Sequence, residues 1–148
     1  MSPSQNNPIG VIDSGVGGIS VLKCIREHLF HENLIYVADS KFAPYGEKSC
    51  EEITRRVLTV FDFLNKQDVK SVVIACNTAT AASIQTLRDR FSYPIIGMEP
   101  AVKPASLMSK NKVVGILATS GTLLSAKFSA LLEHHSNDIH FITQPCFG

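Results

Sequence analysis

The sequence contains no tryptophan and no apolar run near the ~18 residues that a membrane span requires. Its opening segment, Met1-Ser2-Pro3-Ser4-Gln5-Asn6-Asn7, has neither the basic nor the apolar stretch of a signal peptide, so a cytoplasmic protein is expected. An excess of one charge is lacking too. Lys and Arg number 14 against 13 Asp and Glu, a formal net charge of +1, which gives no electrostatic reason to expect nucleic acid or a membrane surface as partner. Cysteine is sparse and badly spaced for metal: Cys24, Cys50, Cys76 and Cys146 form no C-x-x-C pair, so neither a zinc site nor a disulfide framework is indicated. All four read as reduced thiols. The histidines add no metal site, since His134-His135 suits the last turn of a helix and His28 and His31 bracket another helix end.

What is present is alternation. With 45% apolar residues in 148, the chain has the length of a single domain and enough apolar content to bury a core. Strands are expected at Ile9 to Ile12, Leu34 to Ala38, Val72 to Ala75, Ile95 to Gly97, Val113 to Ala118 and Ile139 to Thr143. Between them apolar residues recur at helical spacing: Leu22, Ile25, Leu29; Ile53, Val57, Phe61, Leu64; Ile84, Leu87, Phe91; and Leu124, Phe128, Leu131. This β-α-β-α order predicts an α/β fold, a parallel sheet with helices on both faces. Ser49-Cys50-Glu51-Glu52 has capping-box spacing and starts the second helix, while the Pro100 to Pro104 segment interrupts the pattern and is the best internal boundary.

Three strand-to-helix turns carry the polar residues. Cys76 follows Val72-Val73-Ile74-Ala75 and precedes Asn77-Thr78, which places a thiol at a strand's carboxyl end facing the first turn of a helix. Ligands bind at that edge of a parallel sheet, and free N–H groups at a helix mouth favour a thiolate. A lone buried cysteine is also a common small hydrophobe, and the adjacent Asn77 and Thr78 are what tip the reading toward a site. Asp13-Ser14-Gly15-Val16-Gly17-Gly18 follows the first strand. Its three glycines permit positive φ and close approach of a ligand, but the order departs from G-x-G-x-x-G and Asp13 would repel a phosphate, which argues against a dinucleotide. The carboxylate suits a zwitterionic ligand, or it caps the glycine turn. Gly115-Ile116-Leu117-Ala118-Thr119-Ser120-Gly121-Thr122 repeats the logic, its Thr119 and Thr122 serving as ligand donors, helix caps or both. The loop Asp39 to Lys48 is long for a βα connection, and Tyr45 within it either reaches the site or packs the loop down.

Taken together, Asp13-Ser14-Gly15-Val16-Gly17-Gly18, Pro44-Tyr45-Gly46-Glu47-Lys48-Ser49 and Ala75-Cys76-Asn77-Thr78-Ala79 resemble, in order and spacing, the motifs of glutamate racemases in the aspartate/glutamate racemase family. The resemblance implies a cofactor-independent isomerase that interconverts L- and D-glutamate through two cysteines on opposite faces of the α-carbon, supplying D-glutamate for peptidoglycan and so for cell shape. It implies that Cys76 is one acid/base and Asp13 its polar helper. Asp13, Ser14, Tyr45, Gly46, Asn77, Thr78, Thr119 and Thr122 would contact the substrate. No metal or other cofactor is expected; the partner is a small molecule, with a homodimer also possible for such a chain.

The departure from the family is in length. Its members are nearly twice as long, and their second half carries a Cys-Thr-His motif that does not occur here; Cys146 precedes Phe147-Gly148 instead. The expectation is therefore a truncated α/β racemase, with residues 1–99 forming a first racemase domain and residues 100–148 the incomplete start of a second. Alone it should racemise glutamate poorly. A related aspartate or hydantoin racemase, and a non-catalytic module that binds an amino acid or a protein, remain open alternatives.

Overall fold

In a computed structural model describing residues 4–135 and 138–146, the first apolar run forms β1 (Ile9–Asp13), followed by α1 (Gly18–His28) and β2 (Leu34–Ala38). The terminal residues noted above, Met1 to Pro3 and Phe147-Gly148, lie outside the described ones. Next come α2 (Cys50–Asn65), β3 (Ser71–Ile74), α3 (Asn77–Arg90) and β4 (Ile95–Gly97). The four strands are all parallel, in the order β2-β1-β3-β4, with Val11 level with Tyr36 on one side and Val73 on the other. Because the chain steps from β1 to β2 and then returns past β1 to β3, right-handed crossovers put α1 on one face and α2 and α3 on the other. Contacts agree with this. Leu64 of α2 lies over Gly10, whereas on the opposite face Gly18 of α1 sits against Asp13 and Ala75. The reversal of direction falls between β1 and β3, and the crevice beyond their carboxyl ends is where an open α/β sheet holds its ligand.

Helix starts follow local chemistry. Ser49 Oγ accepts the Glu52 N–H at 3.2 Å, as the capping-box spacing predicts, although the Glu52 carboxylate turns to Lys48 Nζ at 2.9 Å. Ile53, Val57, Phe61 and Leu64 of α2 are buried together, and with Val72, Ile74, Ile84 and Leu87 they form the main core. Gly97 closes this layer: a Cβ there would lie 2.5 Å from both Ile84 Cδ1 and Thr80 Cγ2.

The strands fall into two parallel sheets. After β4 come α4 (Val102–Met108), β5 (Val113–Ala118), α5 (Ser120–Leu123), α6 (Ala126–His135) and β6 (His140–Pro145), and β5 and β6 pair in parallel as a separate two-stranded sheet. The main sheet stops because β4 is only three residues long and leads into Met98-Glu99-Pro100, where proline cannot donate to a ladder. A second, smaller core gathers Val102, Val114, Ile116 and Phe128. The interruption at Pro100 to Pro104 contains a helix start, with Pro104 in the first turn of α4, where its missing N–H costs nothing. Likewise, the helix expected through Leu124, Phe128 and Leu131 is two helices. Leu124 lies at their junction and is 85% exposed, and Ser125 Oγ accepts the Phe128 N–H at 3.2 Å to begin the second. Leu29 is the cap residue ending α1, outside its buried face. No helix among the described residues is long and apolar enough to cross a membrane.

Candidate functional site

Strand geometry carries Asp13 and the residues before Cys76 to the same edge, since β1 and β3 are adjacent and in parallel register. Cys76 is the cap residue of α3: its Sγ accepts the Ala79 N–H at 3.3 Å, and Ser14 Oγ donates to the same sulfur at 3.4 Å. Two donors thus converge on a thiol that is only 9% exposed. One carboxylate oxygen of Asp13, Oδ2, accepts the N–H groups of Gly15 at 3.1 Å and Gly18 at 3.0 Å, so the acid fastens the glycine turn while standing beside the cysteine's cleft. None of the turn's glycines adopts positive φ, contrary to the freedom expected from the sequence. What the turn requires at Gly18 is space, because a Cβ there would lie 2.6 Å from Asp13 Cβ and 3.1 Å from Ala75 Cβ. Tyr36 secures the turn from β2, its hydroxyl donating to the Gly15 carbonyl at 2.9 Å. Burial raises the Tyr36 pKa, and the Asp13 charge adds to it.

Three hydroxyls form the far wall. Thr78 Oγ1 lies 3.1 Å from Thr119 Oγ1 and 3.4 Å from Thr122 Oγ1, and the last two are 3.0 Å apart. This triangle joins the start of α3 to the start of α5, where Thr119 is also the cap, accepting the Thr122 N–H. The ligand and cap roles thus coincide on the same residues. Asp13, Ser14, Cys76, Asn77, Thr78, Thr119 and Thr122 all line one cleft of about 640 Å³ between the two sheets. Its remaining walls include Met98, Glu99 and Pro100 after β4 and Leu117 and Ala118 at the end of β5. Sequence reasoning passed over these, though their position at strand carboxyl ends was the available signal. Among the described residues, no group of three or more His, Cys, Asp and Glu side chains could hold a metal.

Tyr45 and Gly46 are not brought into this lining. The long loop folds into two 3-10 turns, Ser40–Phe42 and Tyr45–Glu47, and the second packs against α3 and α5. Tyr45 is buried in the main core and its hydroxyl donates to Asp39 Oδ2 at 2.7 Å; Gly46 is half-buried. Burial, then the bond to Asp39, raises the Tyr45 pKa. Asp39 also receives Arg56 through Nε at 3.0 Å and Nη2 at 2.8 Å, and the guanidinium lies 3.7 Å over the Phe42 ring. Burial pushes the Asp39 carboxyl upward, but the bonds from Arg56 and Tyr45 outweigh it and hold the group below the ordinary aspartate value. Nothing in the motif spacing marked Asp39 or Arg56, which lie 17 residues apart. Cys24, Cys50 and Cys146 are exposed and outside the cleft.

Cys76 thus caps a helix at the strand-order reversal of a two-sheet α/β protein, the edge at which open parallel sheets hold their ligands. Comparison supplies the family: the family model for Asp/Glu/Hydantoin racemase matches residues 9–144, and the chain belongs to that family. It is 56% identical, over its whole length, to 56% of the glutamate racemase of Ectopseudomonas mendocina. Among solved structures it resembles Escherichia coli glutamate racemase in complex with L-glutamate and the activator UDP-MurNAc-ala, at 36% identity and TM-score 0.86, over 94% of this chain and 53% of that one. The Aquifex pyrophilus glutamate racemase matches at 37% identity and TM-score 0.82, over 95% of this chain and 56% of the other. The chain spans about half the length of the relatives it matches.

Proposed function

We propose that this chain supplies the Cys76 side of a glutamate racemase site, which interconverts L- and D-glutamate without a cofactor. The observation that carries the reading is the placement of Cys76: a thiol capping α3, approached by Ser14 Oγ, with Asp13 and the Thr78, Thr119 and Thr122 hydroxyls around one cleft. In this reading the Cys76 thiolate takes the α-proton of one enantiomer, the electron pair remains on the α-carbon, and an acid on the other face returns a proton. Free N–H groups at Asn77 and Thr78 and the nearby hydroxyls would hold carboxylates, while the Asp13 carboxylate faces the ammonium. Tyr45 and Gly46, outside the cleft lining, would support its wall without touching the substrate, and residues 1–99 and 100–148 act as the first domain and the start of the second. Among the described residues Cys76 is the cleft's one thiol, so the opposite acid is not assigned to any of them. A role in peptidoglycan supply in the cytoplasm belongs to the same proposal, as does a homodimer, which sedimentation over a range of concentrations would detect.

Deuterium wash-in tests the reaction. Incubation in heavy water should place deuterium at the α-carbon of glutamate in a Cys76-dependent manner, and absence of exchange with either enantiomer would sink the racemase reading. A second reading, a module that binds an amino acid without turnover, is favoured by the single thiol in the cleft. Calorimetric binding of glutamate without any exchange is its signature.

A further inference from the structure

Asp39 ties together the end of β1, the Tyr45 turn and α2. Its backbone N–H donates to the Asp13 carbonyl at 2.9 Å, extending the β1–β2 ladder by one bond beyond the strand. Its carboxylate accepts the Tyr45 hydroxyl on Oδ2 and Arg56 on both oxygens. The 3-10 turn that holds Tyr45 packs against α3 and α5, the helices that present Cys76 and the threonines, and Tyr45 shares the main core with Cys76 and Ala79. We infer that Asp39, clamped by Arg56, is a positioning residue that fixes the Tyr45 turn and the Asp13 backbone relative to Cys76. The inference rests on the reading of this cleft as the reacting site, and it assigns Asp39 no contact with substrate.

The Asp39 and Arg56 side chains are 10% and 22% exposed, and a well-packed apolar set of similar volume would commonly stabilise such a spot at least as well. An ion pair there instead supplies one fixed geometry: the guanidinium fork meets both carboxylate oxygens, its flat face rests on Phe42, and Tyr45 adds a further hydrogen bond to Oδ2. Tyr45 carries this geometry onward because its ring is 4% exposed and cannot turn without opening the core. Misplacement of about 1 Å at a reacting centre is worth up to about a hundredfold in rate, which makes such a support consequential.

Alkylation by iodoacetamide, mapped by peptide mass spectrometry, provides the test, with the exposed Cys24 and Cys50 as internal references. The variants are Asp39→Asn, Tyr45→Phe and Arg56→Lys, beside Val69→Ala, a buried change remote from the cleft that serves as a stability control. In Asp39→Asn the loosened turn should admit reagent to Cys76 about fivefold faster relative to the references, in line with the sensitivity of sites to sub-ångström support. Tyr45→Phe should share the increase, Arg56→Lys should fall between, and Val69→Ala should leave the ratio unchanged. Should Asp39→Asn not fold, Tyr45→Phe decides. A Cys76 ratio within twofold of wild type in the folded variants, or an equal rise in Val69→Ala, would overturn the inference. Protection of wild-type Cys76 by added glutamate is read separately: its absence counts against the racemase reading, while the unliganded ratios still decide the role of Asp39.

Discussion

At the scale of single residues, Cys76 combines a structural task with a chemical one, and the two separate by substitution. As a cap, its Sγ satisfies the Ala79 N–H, and serine is a better cap than cysteine while lacking a thiol. Cys76→Ser should therefore melt within about 1 kcal/mol of the wild type, whereas Cys76→Ala should lose about 1 kcal/mol from the missing cap. Both should abolish exchange at the α-carbon. Calorimetry beside deuterium wash-in checks the pair, and exchange surviving in either variant would remove Cys76 from the chemistry. Asp13→Asn asks the same of the acid. An amide oxygen can still accept from Gly15 and Gly18, so stability should hold while exchange falls about 10²-fold, as for loss of a positioned acid/base partner. A change in melting alone would leave Asp13 as a fastening for the turn.

At the scale of elements, the glycine turn and the Tyr45 turn give opposite lessons about the sequence. Gly15 and Gly18 look alike in the motif, yet a Cβ at Gly15 meets nothing within 4 Å and one at Gly18 would meet Asp13 at 2.6 Å. Gly18→Ala should cost about 1–3 kcal/mol by overpacking and Gly15→Ala stay within about 0.5 kcal/mol, a difference that urea denaturation measures directly. The Asp39–Arg56–Tyr45 cluster should make stability depend on pH. A carboxyl held below its unfolded value contributes stability that is complete above the unfolded pKa of about 3.9 and is lost as pH falls through the lower folded value. Asp39→Asn should thus be about 2 kcal/mol less stable than wild type near pH 7, with the gap narrowing below pH 4; a gap independent of pH would contradict the assignment. Strands and the long helices were legible because their apolar periods are regular, as in Ile53, Val57, Phe61 and Leu64. The site's polar edge was legible because Asp13, Cys76 and Thr119 each follow a strand run directly. The break at Leu124 was not: an apolar residue at the right period is silent about whether its neighbours continue the helix, and Ser125 restarts it by a local hydrogen bond. Asp39 and Arg56 were hidden for a different reason, since their contact is made only by the fold.

Across the whole molecule, stability is distributed unevenly between the two sheets. The main core joins fifteen buried residues from Ile12 to Ile95, with α2 and α3 packed on each other above four strands. Four buried residues anchor the second core, and its sheet has one covered face: Val114 and Ile116 point inward, while Val113 and Leu117 alternate to the exposed side with Ile142 of β6 beside them. Alternation within a parallel strand is itself unusual, because strands covered by helices on both faces read as continuous apolar runs, as Ile9 to Ile12 does. Opening free energy follows buried apolar contact, so the second sheet should open locally at lower cost than the first. Amide hydrogen exchange would register this as slow exchange at Val11 and Val73, held between neighbouring strands, and exchange at least tenfold faster, about 1.4 kcal/mol, along β5 and β6. The threonine triangle spans the boundary, so glutamate bound in the cleft should slow exchange at Thr119 to Thr122 more than at Val11. Uniform protection across both sheets would mean that the two cores open as one cooperative unit, and that Thr78, Thr119 and Thr122 weld the halves together even without ligand.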